Sequence, residues 1–85
     1  MKKIYKYPFT ITDHQDFELS EEAKVINVDL DPFNRPYLWA IIDVKAPIKK
    51  HTLYVVGTGL TVPKEAEMFL GSFQQPPFVW HVFMA

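Results

Sequence analysis

The chain has 85 residues, the length of one domain spanning residues 1–85. Its 48% apolar and 22% charged content excludes a disordered tail, and no apolar run approaches the roughly 20 residues that cross a bilayer. Nine basic and ten acidic side chains leave a net charge of −1, which argues against general affinity for long nucleic acid or an anionic membrane. Met1-Lys2-Lys3 leads into Ile4-Tyr5-Lys6-Tyr7-Pro8, not into the apolar stretch of a secretory leader. Cysteine is absent, so there is no disulfide framework and no thiolate metal site, and the expected compartment is cytosolic.

So short a chain buries only about 60% of the surface its unfolded form exposes. An aromatic core or self-association must then supply stability. Seven Phe, four Tyr and two Trp are available, and such residues serve cores and interfaces alike.

In chain order, most segments have a period of two. Lys3 to Thr10 alternates Ile4 and Lys6 against Tyr5 and Tyr7, with Pro8 marking a strand end or a sheet edge. Phe17-Glu18-Leu19 is a brief extended piece, and Ser20-Glu21-Glu22-Ala23 a single turn. Lys24 to Leu30 is the cleanest alternating strand, with Ile26, Val28 and Leu30 expected on one face. The loop Asp31-Pro32-Phe33-Asn34-Arg35-Pro36 connects it to Tyr37–Val44, apolar on both faces and so expected to be central and covered on each side.

A Pro-interrupted basic connection precedes His51–Val56, a strand ended by Gly57-Thr58-Gly59. Val62 to Leu70 is the one candidate helix, with Thr61 as N-cap, Pro63 in the first turn and Gly71 beyond its end. The favoured reading there is a short helix or turn followed by a strand, and the alternative is a strand over Met68 to Gln74. After the Gln74-Gln75-Pro76-Pro77 turn, Phe78 to Met84 is a terminal strand. Phe78, Trp80, Val82 and Met84 lie on one face and Val79, His81 and Phe83 on the other. A strand so apolar needs cover from a sheet neighbour, a second sheet or a partner. The fold class is mainly β: a small antiparallel sandwich or partly open barrel of about six strands, with one short helix or turn.

Candidate chemistry is sparse. His14, His51 and His81 share no metal-ligand spacing, so the expectation is no metal and no cofactor, with His81 a partly buried, hydrogen-bonded residue. Most carboxylates sit among polar loop residues. Asp43 ends an apolar strand and reads first as a turn cap. Gly57-Thr58-Gly59 lacks the further glycines or the Gly-Lys-Ser ending of a phosphate loop, so its glycines read as tight-turn residues, with anion contact the lesser alternative. Ser20 and Ser72 lie outside any nucleophile motif.

Lysines interleaved with tyrosines suit a small anionic ligand held by stacking and charge, beside the plainer reading of solubilising lysines on edge strands. Arg35, the only arginine, offers a rigid donor fork to a carboxylate or phosphate. The candidate ligand- or partner-binding set is therefore Tyr5, Lys6, Tyr7, Arg35, Trp39, Tyr54, Trp80 and His81, with Trp39 and Trp80 equally readable as core.

The sequence also carries Ile4-Tyr5-Lys6-Tyr7-Pro8, Leu38-Trp39-Ala40 with Asp43, Val56-Gly57-Thr58-Gly59, Gly71-Ser72-Phe73 and Trp80-His81-Val82-Phe83. In these motifs it resembles, over nearly its whole length, a family of small proteins encoded mostly by bacteriophages and prophages that typically end in Trp-His-Val-Phe. It departs from that pattern at Ser20-Glu21-Glu22-Ala23, where the family has a Pro-Glu-Gly-Ala type segment, and in the Met84-Ala85 tail. The resemblance implies origin and no mechanism, and it favours a binder over an enzyme.

The expectation is a non-enzymatic protein of the host cytoplasm that forms a homodimer or higher oligomer. Its target would be a host defence or regulatory protein, or a small nucleotide signal. The alternative is a small structural or assembly component of the phage particle. An enzyme using His81 and Asp43 ranks last.

Overall fold

Alternating segments bury one face each, and they do so here by pairing into two antiparallel sheets. A computed structural model, describing residues 1–85, has strands β1 (Lys2–Pro8), β2 (His14–Ser20), β3 (Lys24–Leu30), β4 (Pro36–Asp43), β5 (Ile48–Gly57), β6 (Met68–Gln75) and β7 (Phe78–Met84). The three-stranded sheet has the order β1-β4-β3 and the four-stranded sheet β2-β5-β7-β6. The result is a sandwich, and no helix is long and apolar enough to cross a membrane.

The two sheets share one core. Leu38, Ala40 and Ile42 of β4 face Leu53 and Val55 of β5 and Val82 and Met84 of β7 in a single buried cluster. Aromatic edges close it, with Phe9 against Phe73 and Tyr7 against Phe17 at centroid distances of 6.0 and 6.2 Å. Strand β7 lies between β5 and β6, so its apolar backbone has neighbours on both sides and is not an open edge.

The structure departs from the sequence expectations at several points: β2 begins at His14 and β5 at Ile48, ahead of the segments read as strands, because the two pair with each other over that whole length. Val62 to Leu70 forms no helix: the Ala66 N–H donates to the Pro63 carbonyl at 3.1 Å, a single turn, and Met68–Gln75 then pairs with β7 as a seventh strand. Helix would bond this backbone within itself and leave the donors and acceptors of β7 bare on that side. Strand β4 is covered on one face only, leaving Tyr37, Trp39 and Ile41 half-buried on the other. Ile26 does not share the face of Val28: the pairing with β4 shifts between Val25 and Asn27, leaving Ile26 exposed while Val28 is buried.

A second shift between Phe69 and Gly71 in β6 reverses the side-chain parity, so that Phe73 is buried while Phe69 is 57% exposed. These two irregular strands meet where the sheets approach, and an ideal Cβ on Gly71 would lie 2.7 Å from Cγ2 of Val28. Only the missing side chain permits that approach.

The β3–β4 hairpin is set by Asp31. The Asn34 N–H donates to the Asp31 carbonyl at 2.9 Å, the Asp31 N–H to the Arg35 carbonyl at 2.8 Å, and Asn34 adopts φ 64°. This is a tight turn followed by one left-handed residue, a position asparagine tolerates.

Candidate functional site

Uncovered on the outside, the three-stranded sheet presents a ladder of cations and rings. Register sets Lys6 opposite Trp39 and Ile4 opposite Ile41, with Asp29 opposite Tyr37 on the other flank. The Lys6 ammonium lies 4.1 Å from the centre of the Tyr37 ring and 5.9 Å from that of Trp39. Ile4 is 58% exposed. An apolar centre of Ile4, Ile41, Trp39 and Tyr37 is thus flanked by Lys2, Lys6, Asp29 and Asp43.

At the hairpin end of this face the ladder continues through Arg35, whose guanidinium is 5.1 Å from the Phe33 ring and 5.8 Å from Tyr37. Its anchor is the Asp31 side chain, only 2% exposed, which accepts from Arg35 Nε at 3.1 Å. The same carboxylate takes the backbone N–H groups of Phe33 and Arg35 at 2.8 and 2.9 Å. Burial pushes the Asp31 carboxyl up, but the two backbone donors and the guanidinium outweigh it and hold the group below the usual aspartate value. A shallow cleft of about 450 Å³ opens beside Arg35, lined by Pro8, Phe9, Thr10, Ile11, Pro36 and Tyr37.

The eight sequence-selected residues do not form one site. Lys6, Trp39 and Arg35 share the outer ladder. Tyr5 and Tyr7 lie on the inward side of β1, with Tyr5 opposite the buried Ala40 and Tyr7 packed on Phe17. Burial, followed by the neighbouring Tyr5, raises the Tyr7 hydroxyl pKa. Trp80 is packed against the core, with Gly57 at its ring face and its indole N–H donating to Gln75 Oε1 at 3.2 Å.

Tyr54 and His81 belong to the outer face of the four-stranded sheet, where Tyr54 pairs with Phe83 and Phe83 packs on Phe69 at 5.4 Å. His81 is half-buried, with both ring nitrogens engaged: Nδ1 with Ser72 Oγ at 2.6 Å and Nε2 with Thr58 Oγ1 at 2.9 Å.

Asp43 caps a turn, as its position at a strand end implies. It accepts the Lys45 N–H at 3.0 Å, and that bond, with the amino terminus 3.7 Å away, holds its carboxyl below the usual value. It sits on the opposite sheet from His81, so the two do not meet. Gly57-Thr58-Gly59 is a tight turn in which Leu60 N–H donates to the Gly57 carbonyl at 3.1 Å and Gly59 takes φ 90°.

Sequence reasoning missed Asp31, Phe33, Ile4 and Tyr37. The signal for Asp31 was available: an aspartate opening a Pro-Phe-Asn turn is the residue type that bonds backbone two positions on. Tyr37 was legible only as the diagonal neighbour of Lys6, which requires the β1–β4 register.

A family model for a domain of unknown function, DUF7352, matches residues 1–85. The chain belongs to the DUF7352 family. No curated protein and no solved structure matches it significantly. For this DUF7352 member, then, the outer ladder and its hairpin end are the candidate site.

Proposed function

We propose that this chain is a non-enzymatic binding protein that associates with a second copy of itself through the outer face of the β1-β4-β3 sheet. The observation that carries the reading is the apolar centre on that face, exposed Ile4 with half-buried Ile41 and Trp39, ringed by charges of both signs. A body measuring only 16 Å along its thinnest axis has no third layer to cover it. Pairing two such faces buries the strip and sets the lysines of β1 within reach of the partner's Asp29 flank.

The resemblance of the motifs to phage and prophage proteins supports a phage origin. The matching role is occupation of a host defence or regulatory component, or retention of a small nucleotide signal, in the host cytoplasm.

Sedimentation of the wild-type chain and of Ile4→Glu tests the reading. The wild type is expected to run as a dimer or larger species, and Ile4→Glu as a folded monomer of 9.9 kDa. A wild type that is monomeric at every concentration refutes it. A second reading, a small component of the phage particle, draws on the aromatic row Tyr54–Phe83–Phe69 on the opposite outer face, which gives one copy two contact surfaces. It requires that the chain copurify with virions.

A further inference from the structure

The hairpin end of the ladder differs from the rest of the face in being built around a buried anchor. Arg35 is held at Nε alone, by a carboxylate that is itself buried and fixed by two backbone donors on its other oxygen. The side chain stays 61% exposed, so its terminal N–H groups remain free to donate to a ligand while Nε is anchored. A merely solubilising arginine needs no such anchor.

Lys6 brings a second positive charge to the Tyr37 ring that Arg35 also approaches. Phe33, 77% exposed at the hairpin tip, offers a bare ring next to the guanidinium. The adjoining cleft of about 450 Å³ has the size of a small-molecule site, and its walls are mainly Pro8, Phe9, Ile11, Pro36 and Tyr37.

These parts define an occupant. An anion alone has no use for the apolar cleft or the bare ring, and an apolar ligand alone has none for two cations. Bidentate donors and a compact ammonium that both approach the Tyr37 ring suit the several oxygens of a phosphate better than a single carboxylate. The bare Phe33 ring beside the cleft suits a planar heterocycle, which stacks on aromatic faces. We infer that the Arg35 hairpin, with Phe33, Tyr37, Lys6 and the Pro8–Ile11 cleft, is a binding site for a small nucleotide. Arg35 and Lys6 receive the phosphate, and the base lies against the exposed Phe33 ring. The inference rests on reading the chain as a binder and narrows that reading to one ligand class at one end of the face.

The test is a titration of the isotope-labelled full chain with AMP, ADP and a cyclic dipurine nucleotide, followed by amide and Arg35 Nε–H resonances. At least one of these nucleotides is expected to shift Thr10, Ile11, Phe33 and Arg35. Inorganic phosphate or adenosine alone should bind more weakly. Arg35→Lys and Phe33→Ala, both at exposed side chains, should retain dispersed spectra and each weaken binding by about tenfold, the loss of one charge-assisted bond or one stacked ring.

Shifts confined to other residues, no shift with any of the three, or unchanged affinity in Arg35→Lys overturns the proposal. A short single-stranded oligonucleotide separates free nucleotide from nucleic acid, and tighter binding to it than to the nucleotides also overturns the proposal. Sedimentation of the same samples keeps the two readings apart. A self-associating chain that binds no nucleotide removes the ligand site and leaves the dimer. A monomer that binds nucleotide at Arg35 does the reverse.

Discussion

Replacing Gly71 by alanine places a methyl group 2.7 Å from Cγ2 of Val28, well inside van der Waals contact, at a backbone φ of 155° that side chains rarely adopt. Val28 is 2% exposed and belongs to the shared core, so it has no empty space to move into. Overpacking of this kind costs about 1–3 kcal/mol, and an unfavourable backbone conformation is of order 1–3 kcal/mol more. We expect Gly71→Ala to destabilise the chain by about 3 kcal/mol, a large share of the stability of a domain this size. At about 4–8 °C per kcal/mol, the melting temperature falls by more than about 10 °C.

Thermal and urea unfolding measure the loss, and a double-mutant cycle with Val28→Ala assigns it. Truncating Val28 removes the methyl that clashes, so the two substitutions together should cost less than the sum of their separate effects by about 1 kcal/mol or more. An unchanged melting temperature in Gly71→Ala, or strictly additive losses, would refute the close packing of β6 against β3.

Asp31→Asn puts an amide donor against Arg35 Nε–H, and it should destabilise the hairpin and release Arg35, seen as faster solvent exchange of the Nε–H than in the wild type. Because the folded state holds the Asp31 carboxyl below its ordinary value, its contribution is complete above about pH 4 and fades as pH falls through the lowered value. Acid unfolding of Asp31→Asn should therefore be flatter in that range than that of the wild type, with a remaining slope from Asp43, which is lowered in the same direction. At Asn34, with φ 64°, alanine should cost about 1 kcal/mol and glycine nearly nothing, a contrast readable by chemical denaturation. Lys6→Gln should lose about 0.5–1 kcal/mol from its contacts with Tyr37 and Trp39, and an equal loss in Lys6→Arg would argue against the cation–ring interaction.

The candidate site was half legible. Lys6, Trp39 and Arg35 were selectable from charge, aromatic character and loop position. Yet the same criteria gathered Tyr5, Tyr7 and Trp80, which the fold turns inward, and Tyr54 and His81, which it puts on the other sheet. Residue type states what chemistry a side chain offers. Only strand order and register state which side chains share a surface.

Local pattern alone determined that the chain is β-rich and where most of its strands lie, though not where β2, β5 and β6 begin. It also determined that Gly59 and Asn34 take turn conformations and that the terminal strand cannot stand open to water. These follow from alternation, from the restrictions of Pro and Gly, and from the cost of exposed apolar backbone, all readable within a few residues.

Tertiary pairing decided the rest: that Met68–Gln75 is a strand, that Ile26 and Phe69 are pushed out of their expected parity, and that Val28 requires a glycine across the sheet boundary. Each outcome depends on hydrogen bonds and contacts between segments far apart in the chain. A bulge of one residue reverses every side chain beyond it, and a local repeat carries no sign of where that residue will fall.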